Sequence, residues 1–127
     1  MRILAFVLAL TLASPAFALL APQYYQQARD TASDVVVIAV RKVDTPPLWV
    51  GHGTCVVRGR VETVERGARY APGADVAIDV PCLRHARGIP AGPVMWKSID
   101  GLRHAPRGRA FLTGAGGLAL YQYDPLN

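Results

Sequence analysis

Thr54-Cys-Val-Val-Arg-Gly-Arg-Val-Glu-Thr-Val-Glu65 decides how the rest of this chain is read. Cys55, Val57, Gly59, Val61 and Thr63 alternate with Val56, Arg58, Arg60, Glu62 and Val64. One face is apolar or small and the other mostly charged, the two-residue period of a half-buried strand. Gly59 has no side chain to pack, so it marks a bulge or sharp bend. Such a bend turns a long strand round the corner of a small barrel. Arg66-Gly67 and Ala71-Pro72-Gly73 then supply turn chemistry. A second alternating run from Asp75 to Pro81 sets Val76, Ile78 and Val80 to one side and Asp79 to the other. Consecutive strands usually pair, so the two runs form a hairpin that brings Cys82 close to Cys55.

Those are the only 2 cysteines of the chain. In a small exported domain an even count reads as a disulfide. Closing this loop should stabilise the fold by about 3 kcal/mol in the chain-entropy model. A redox pair would take the form C-x-x-C, which is absent, and a metal thiolate site would need clustered ligands.

Working outward, Val35 to Val43 is dense in β-branched residues and apolar on both parities, which suggests a strand buried on both faces. Thr45-Pro46-Pro47 ends it, because two prolines remove ladder donors. Residues 22–33 carry polar helix formers and fit either a short helix or an extended arm. Residues 83–108 are rich in Gly, Pro and charge, with Pro93-Val-Met-Trp96 as a candidate short strand. Arg109 to Thr113 and Leu118 to Tyr123 flank Gly114-Ala-Gly-Gly117, a hairpin signal. The expected fold is all-β: a small five- to six-stranded OB-like barrel with one disulfide and a short N-terminal helix or arm over 19–33. Residues 34–127 form a single barrel domain in this reading.

Met1 to Ala18 has the layout of a secretory signal peptide. Arg2 supplies the positive end, Ile3 to Ala13 the apolar region and Ala16-Phe17-Ala18 the cleavage site. The expectation is export, to the periplasm or beyond, with cleavage after Ala18. No Cys follows the apolar region, so no lipid is attached at a mature N-terminal Cys. Losing Arg2 lowers the formal charge from +5 to +4. Lys42 and Lys97 are the only lysines, so the positive charge is carried mainly by Arg, which favours planar contact with carboxylate or phosphate. A high-GC coding sequence gives the same bias.

The bent Cys-bearing strand, the Arg66-Gly67 turn, Val-Ala-Ile-Asp-Val-Pro-Cys82 and the late Gly-Arg-Ala-Phe-Leu112 resemble the OB-like barrels of the tissue-inhibitor-of-metalloproteinase and netrin-module superfamily. Small bacterial exported proteins share that layout. The resemblance spans roughly residues 34–123 and rests on strand order and turn placement. In those inhibitors a mature N-terminal Cys places its amine and carbonyl on the target zinc. Here the expected N-terminus is Leu19, so the resemblance implies the barrel and not the inhibition.

Catalytic signals are weak. His52, His85 and His104 are the 3 histidines, far apart in sequence and, for the latter two, beside Arg. Zinc prefers closely spaced ligands on ordered elements. Neither Ser33 nor Ser98 sits in a nucleophile elbow. Asp75, Asp79 and Asp100 are not isolated in an apolar setting that would raise a carboxyl pKa. Gly114–Gly117 lacks the Lys and helix of a phosphate loop.

Two features suggest contacts. Arg84, Arg87, Lys97, Arg103, Arg107 and Arg109 face only Asp100 in the same stretch, with Trp96 interleaved. Barrel loops of this class bind anionic or sugar chains through Arg and aromatic groups. Trp49, between Pro47 and Gly51, reads as an exposed anchor. The chain is thus expected to be a non-enzymatic exported binding module without cofactor or metal. It would contact a protein partner or an anionic polysaccharide or lipid headgroup of the envelope, and not nucleic acid. The alternative is an accessory subunit of an envelope complex, docking through a strand edge.

Overall fold

The computed structural model describes residues 20–127. The signal-peptide reading of residues 1–18 therefore lies outside the described residues. Helix α1 (Pro22–Thr31) leads into strands β1 (Asp34–Asp44), β2 (His52–Arg66) and β3 (Asp75–Leu83), then β4 (Lys97–Ser98), helix α2 (Ile99–His104), β5 (Arg107–Leu112) and β6 (Leu118–Leu126). The six strands form one sheet in the order β4-β3-β2-β1-β5-β6. All neighbours are antiparallel except β3 and β4. The sheet curls until β3 and β6 approach each other without pairing, a half-barrel of OB-like layout.

The alternation read from sequence builds the concave core. Val36 and Ile38, Cys55, Val57 and Val61, Ile78, Val80 and Cys82, Ala110 and Leu112, and Tyr123 all point inward. Ile99 and Leu102 of α2 join this core. Cys55 and Cys82 are bonded, with Cα atoms 5.8 Å apart, because Gly53 pairs with Cys82 and Cys55 with Val80, so the two cysteines are diagonal neighbours on one face of the hairpin. The disulfide is compatible with an exported, oxidising location. β1 is buried on both faces from Asp34 to Ile38, but the expected two-sided burial does not extend to Val43, because Arg41 and Lys42 are exposed. Its second face meets α1, where Ala28, Ala32, Val35, Phe111 and Ala119 form a smaller cluster.

Three expectations are corrected. Thr63 is exposed while Val64 packs on the core. The β1–β2 register shifts twice there, with Glu62 and Glu65 of β2 unopposed, and each extra residue flips the faces that follow. Gly59 carries no bulge itself: it lies opposite Val40, and the unopposed residue is Arg41 of β1. A Cβ at Gly59 would sit 2.1 Å from the Ala39 carbonyl oxygen, so close backbone approach is what requires glycine. Pro93–Trp96 is not a strand. Lys97–Ser98 pairs instead with Cys82–Leu83 at the sheet edge, and Ser98 then caps α2 by accepting from Gly101 N–H at 3.1 Å.

Candidate functional site

β1 ends where the Thr45-Pro46-Pro47 sequence begins, and the chain reverses through Pro47-Leu48-Trp49-Val50. The Val50 N–H donates to the Pro47 carbonyl at 2.9 Å, closing the turn. Its two central side chains face solvent: Leu48 is 84% and Trp49 87% exposed. No other large apolar residue among the described ones approaches this exposure; the next, Tyr24 on α1, is 50% exposed.

The turn is held from beneath by Arg84. The hairpin register sets Leu83 opposite His52, so Arg84 emerges beside Gly51 and donates its own N–H to the Gly51 carbonyl at 2.7 Å. A guanidinium is a planar fork of donors. This one reaches the carbonyls of Pro46 (2.7 Å), Val50 (3.0 Å) and Pro47 (3.1 Å) and the Thr45 hydroxyl (3.4 Å). Arg103, from α2, donates to the same Thr45 Oγ1 at 3.2 Å. The His85 ring closes over Gly51, where a Cβ would come within 2.5 Å of it. An apolar tip on a braced loop is thus the most distinct surface feature of this end of the barrel.

The cations expected from sequence to act as one basic stretch are separated. Arg84 and Arg103 brace the loop. Arg107 and Arg109 of β5 reach across β1 to Glu62 (3.8 Å) and Glu65 (2.5 Å). Lys97 is half-buried on β4. Burial pushes its ammonium below its ordinary pKa and Arg29 pushes the same way, while Asp124 opposes both. Arg87 is exposed and makes no ion pair among the described residues. Trp96 is half-buried, edge-on to His52 with ring centroids 5.2 Å apart. The intervening helix separates Arg103 from Arg107 and Arg109, which lie two residues apart on β5 and share its outer face.

Sequence reasoning singled out Trp49 and Arg84 separately and missed both Leu48 and the clamp joining them. Extending the hairpin register two residues beyond the disulfide reaches Arg84 against the loop base, and that signal was present in the sequence.

The other groups are accounted for locally. His104 Nδ1 donates to the Asp100 carbonyl at 2.7 Å, and both cysteines are in the disulfide. Among the described residues no three His, Cys, Asp or Glu side chains gather as metal donors. A shallow cleft of 360 Å³ on the outer face is lined by Arg41, Arg58, Gly59, Asp75, Val76 and Ala77. Its arginines already face carboxylates: Arg58 with Asp44 at 2.6 Å and Arg41 with Asp75 at 3.7 Å; Arg60 reaches the same Asp75 at 3.5 Å. Arg58 and Lys42 hold the Asp44 carboxyl below the usual range. No family model, curated protein or solved structure matches this chain.

Proposed function

We propose that this protein is an exported, non-enzymatic binding module that docks end-on against a component of the cell envelope through its β1–β2 loop. The observation carrying the reading is the solvent-facing Leu48–Trp49 pair, held on four acceptors by Arg84. A rigid aromatic on a pre-ordered loop contributes contact area at little entropic cost on binding. Without the Arg84 brace, an exposed Trp would have to be ordered at the moment of contact. Export is supported by the signal-like Met1–Ala18 and by the disulfide, which suits the periplasm or the extracellular space.

A photo-crosslinking amino acid at position 49, in the native host, tests the docking. Capture of one discrete envelope component is the expected result, and Leu48→Ser should abolish it. No adduct from position 49 would overturn the reading.

The accessory-subunit alternative has its own observation. From Asp75 to Pro81 the outer edge of β3 has no strand partner among the described residues, since β4 covers only Cys82 and Leu83. Such an edge accepts an added strand. Capture of a protein from Ala77 rather than from position 49 would favour it.

A further inference from the structure

We infer that the surface docked by this loop end is an anionic bilayer, with Leu48 and Trp49 entering its interfacial zone and Arg103, beside the Arg84 brace, seated on a headgroup phosphate. The inference rests on the end-on docking reading and names what is docked.

The two arginines differ from six others of the chain. Arg29, Arg41, Arg58, Arg60, Arg107 and Arg109 each lie within 4 Å of a carboxylate. Arg84 and Arg103 have no such partner among the described residues, yet both Nη2 atoms converge on one neutral oxygen, Thr45 Oγ1, at 3.4 and 3.2 Å. Arg84 commits its terminal N–H groups to the loop. Arg103 is exposed and its guanidinium donates only to Thr45 among the described residues, so this second charge is left with planar donors that match a phosphate. An open cleft of 250 Å³ adjoins them, lined by Leu83, Arg84, Ser98, Ile99, Asp100 and Arg103. Asp100 is the one carboxylate on that lining and makes no ion pair with either guanidinium.

The tip supplies the apolar half of the match. Residues 45–51 carry no charged side chain, and their apex is a convex Pro-Leu-Trp-Val. A protein interface of ordinary size needs about 800 Å² on each partner around a packed centre. Two adjacent side chains on a convex turn do not make such a patch. They suit interfacial insertion, where Trp rests at headgroup depth and nearby basic groups meet lipid phosphates. The cations lie at the loop base, beneath the apolar apex, which is the order that a headgroup layer over acyl chains requires.

The test uses the oxidised mature protein carrying Trp96→Phe, so that Trp49 is the only tryptophan. It is mixed with vesicles of phosphatidylcholine alone or with an equal part of phosphatidylglycerol. Sedimentation with the anionic vesicles is expected, with a blue shift of Trp49 emission and quenching by brominated acyl chains. Arg103→Gln should weaken this binding about five-fold, the effect of one basic residue at an anionic surface. Trp49→Ser should weaken it about ten-fold through lost apolar insertion. Both variants keep Arg84, and unchanged thermal unfolding confirms that the brace survives.

Absence of sedimentation, or sedimentation without a change in Trp49 emission, would overturn the inference. So would binding of inorganic phosphate at Arg103 without vesicle binding, which would identify a free-anion site. A discrete protein crosslinked from position 49 together with no vesicle binding would remove the bilayer and leave end-on docking standing. No adduct from position 49 would remove the docking reading itself.

Discussion

Arg84 Nη2 donates to the Pro46 carbonyl at 2.7 Å, so a side chain at the exit of β3 fixes the backbone at the exit of β1. The disulfide lies directly behind this contact, because Cys82 is two residues from Arg84 and is tied to Cys55 near the start of β2. Core, staple and surface loop are therefore mechanically linked. The tip inherits its order from the hairpin rather than from its own short turn.

Replacing Arg84 with Lys tests that linkage. Lysine keeps the charge but offers a single flexible ammonium in place of the fork. Several loop carbonyls would lose their donor at once, at a cost of about 1–3 kcal/mol. Hydrogen exchange at the Val50 amide should accelerate while that at Ile38 keeps its protection relative to global unfolding. Unaltered protection at Val50 would show that the turn orders itself.

Gly59→Ala should be among the most damaging single-methyl changes. The added Cβ would meet backbone atoms of β1, the Ala39 carbonyl oxygen at 2.1 Å and its carbon at 3.0 Å. Backbone in a paired strand cannot rotate aside as a side chain can, so about 3 kcal/mol should be lost. Gly92→Ala, where the added Cβ meets nothing within 4 Å, serves as the control in the same urea titration.

Alkaline pH separates two buried titrations. Burial raises the Tyr123 phenol from 10.0 to about 12. Above pH 10 the unfolded chain releases this proton while the folded one keeps it, so stability falls as pH rises from about 10 to 12. The loss is about 2–3 kcal/mol at most. Lys97 has the opposite sign. Its folded value is lowered from 10.5, so between that lowered value and 10.5 the folded chain sheds its proton first and stability rises with pH. Tyr123→Phe should abolish the fall, measured as urea midpoints from pH 8 to 12, and leave the Lys97 rise. A fall of equal size in Tyr123→Phe would assign it to other groups.

How far the sequence reveals all this depends on which force sets each element. The β2–β3 hairpin and its disulfide were legible because burial on one face imposes a period of two over a long run, and the β5–β6 hairpin because glycines punctuate it. Parity failed after Val61, since Glu62 and Glu65 are bulge residues and nothing local distinguishes them from ladder residues. The α2 segment, Ile-Asp-Gly-Leu-Arg-His, is too short for a helical period to emerge and contains a glycine. Its helix depends on the Ser98 cap and on seating Ile99 and Leu102 in the core. At the candidate site, Trp49 was readable from its flanking Pro and Gly. The basic stretch misled, because a count of charges along the chain ignores the alternation that sends Arg107 and Arg109 to Glu62 and Glu65.

Arg29 carries the last prediction, because it joins α1 to the most strained part of the sheet. Leu120 and Tyr121 lie consecutively in the left-handed region, with φ of 45° and 61°. For residues with side chains this costs of order 1–3 kcal/mol each and persists only when neighbours enforce it. The enforcing contacts start at Gln122, whose amide nitrogen donates to the Leu120 carbonyl at 3.0 Å while its oxygen accepts from Arg29 Nε at 2.6 Å. Arg29 also grips Asp124 through both terminal nitrogens, at 2.8 and 2.6 Å, and its guanidinium lies 4.6 Å from the Phe111 ring centre. A half-buried bidentate pair of this kind is stronger than an exposed ion pair. Arg29→Met should therefore destabilise by about 2 kcal/mol, and α1 should lose its exchange protection before the barrel does. A double-mutant cycle with Asp124→Asn should return a coupling of about 1–2 kcal/mol, since the two residues share one network. Coupling near zero, with α1 still protected in Arg29→Met, would mean that the apolar contacts of Ala28, Ala32 and Phe111 alone hold the helix and that the left-handed turn is stabilised from within β6.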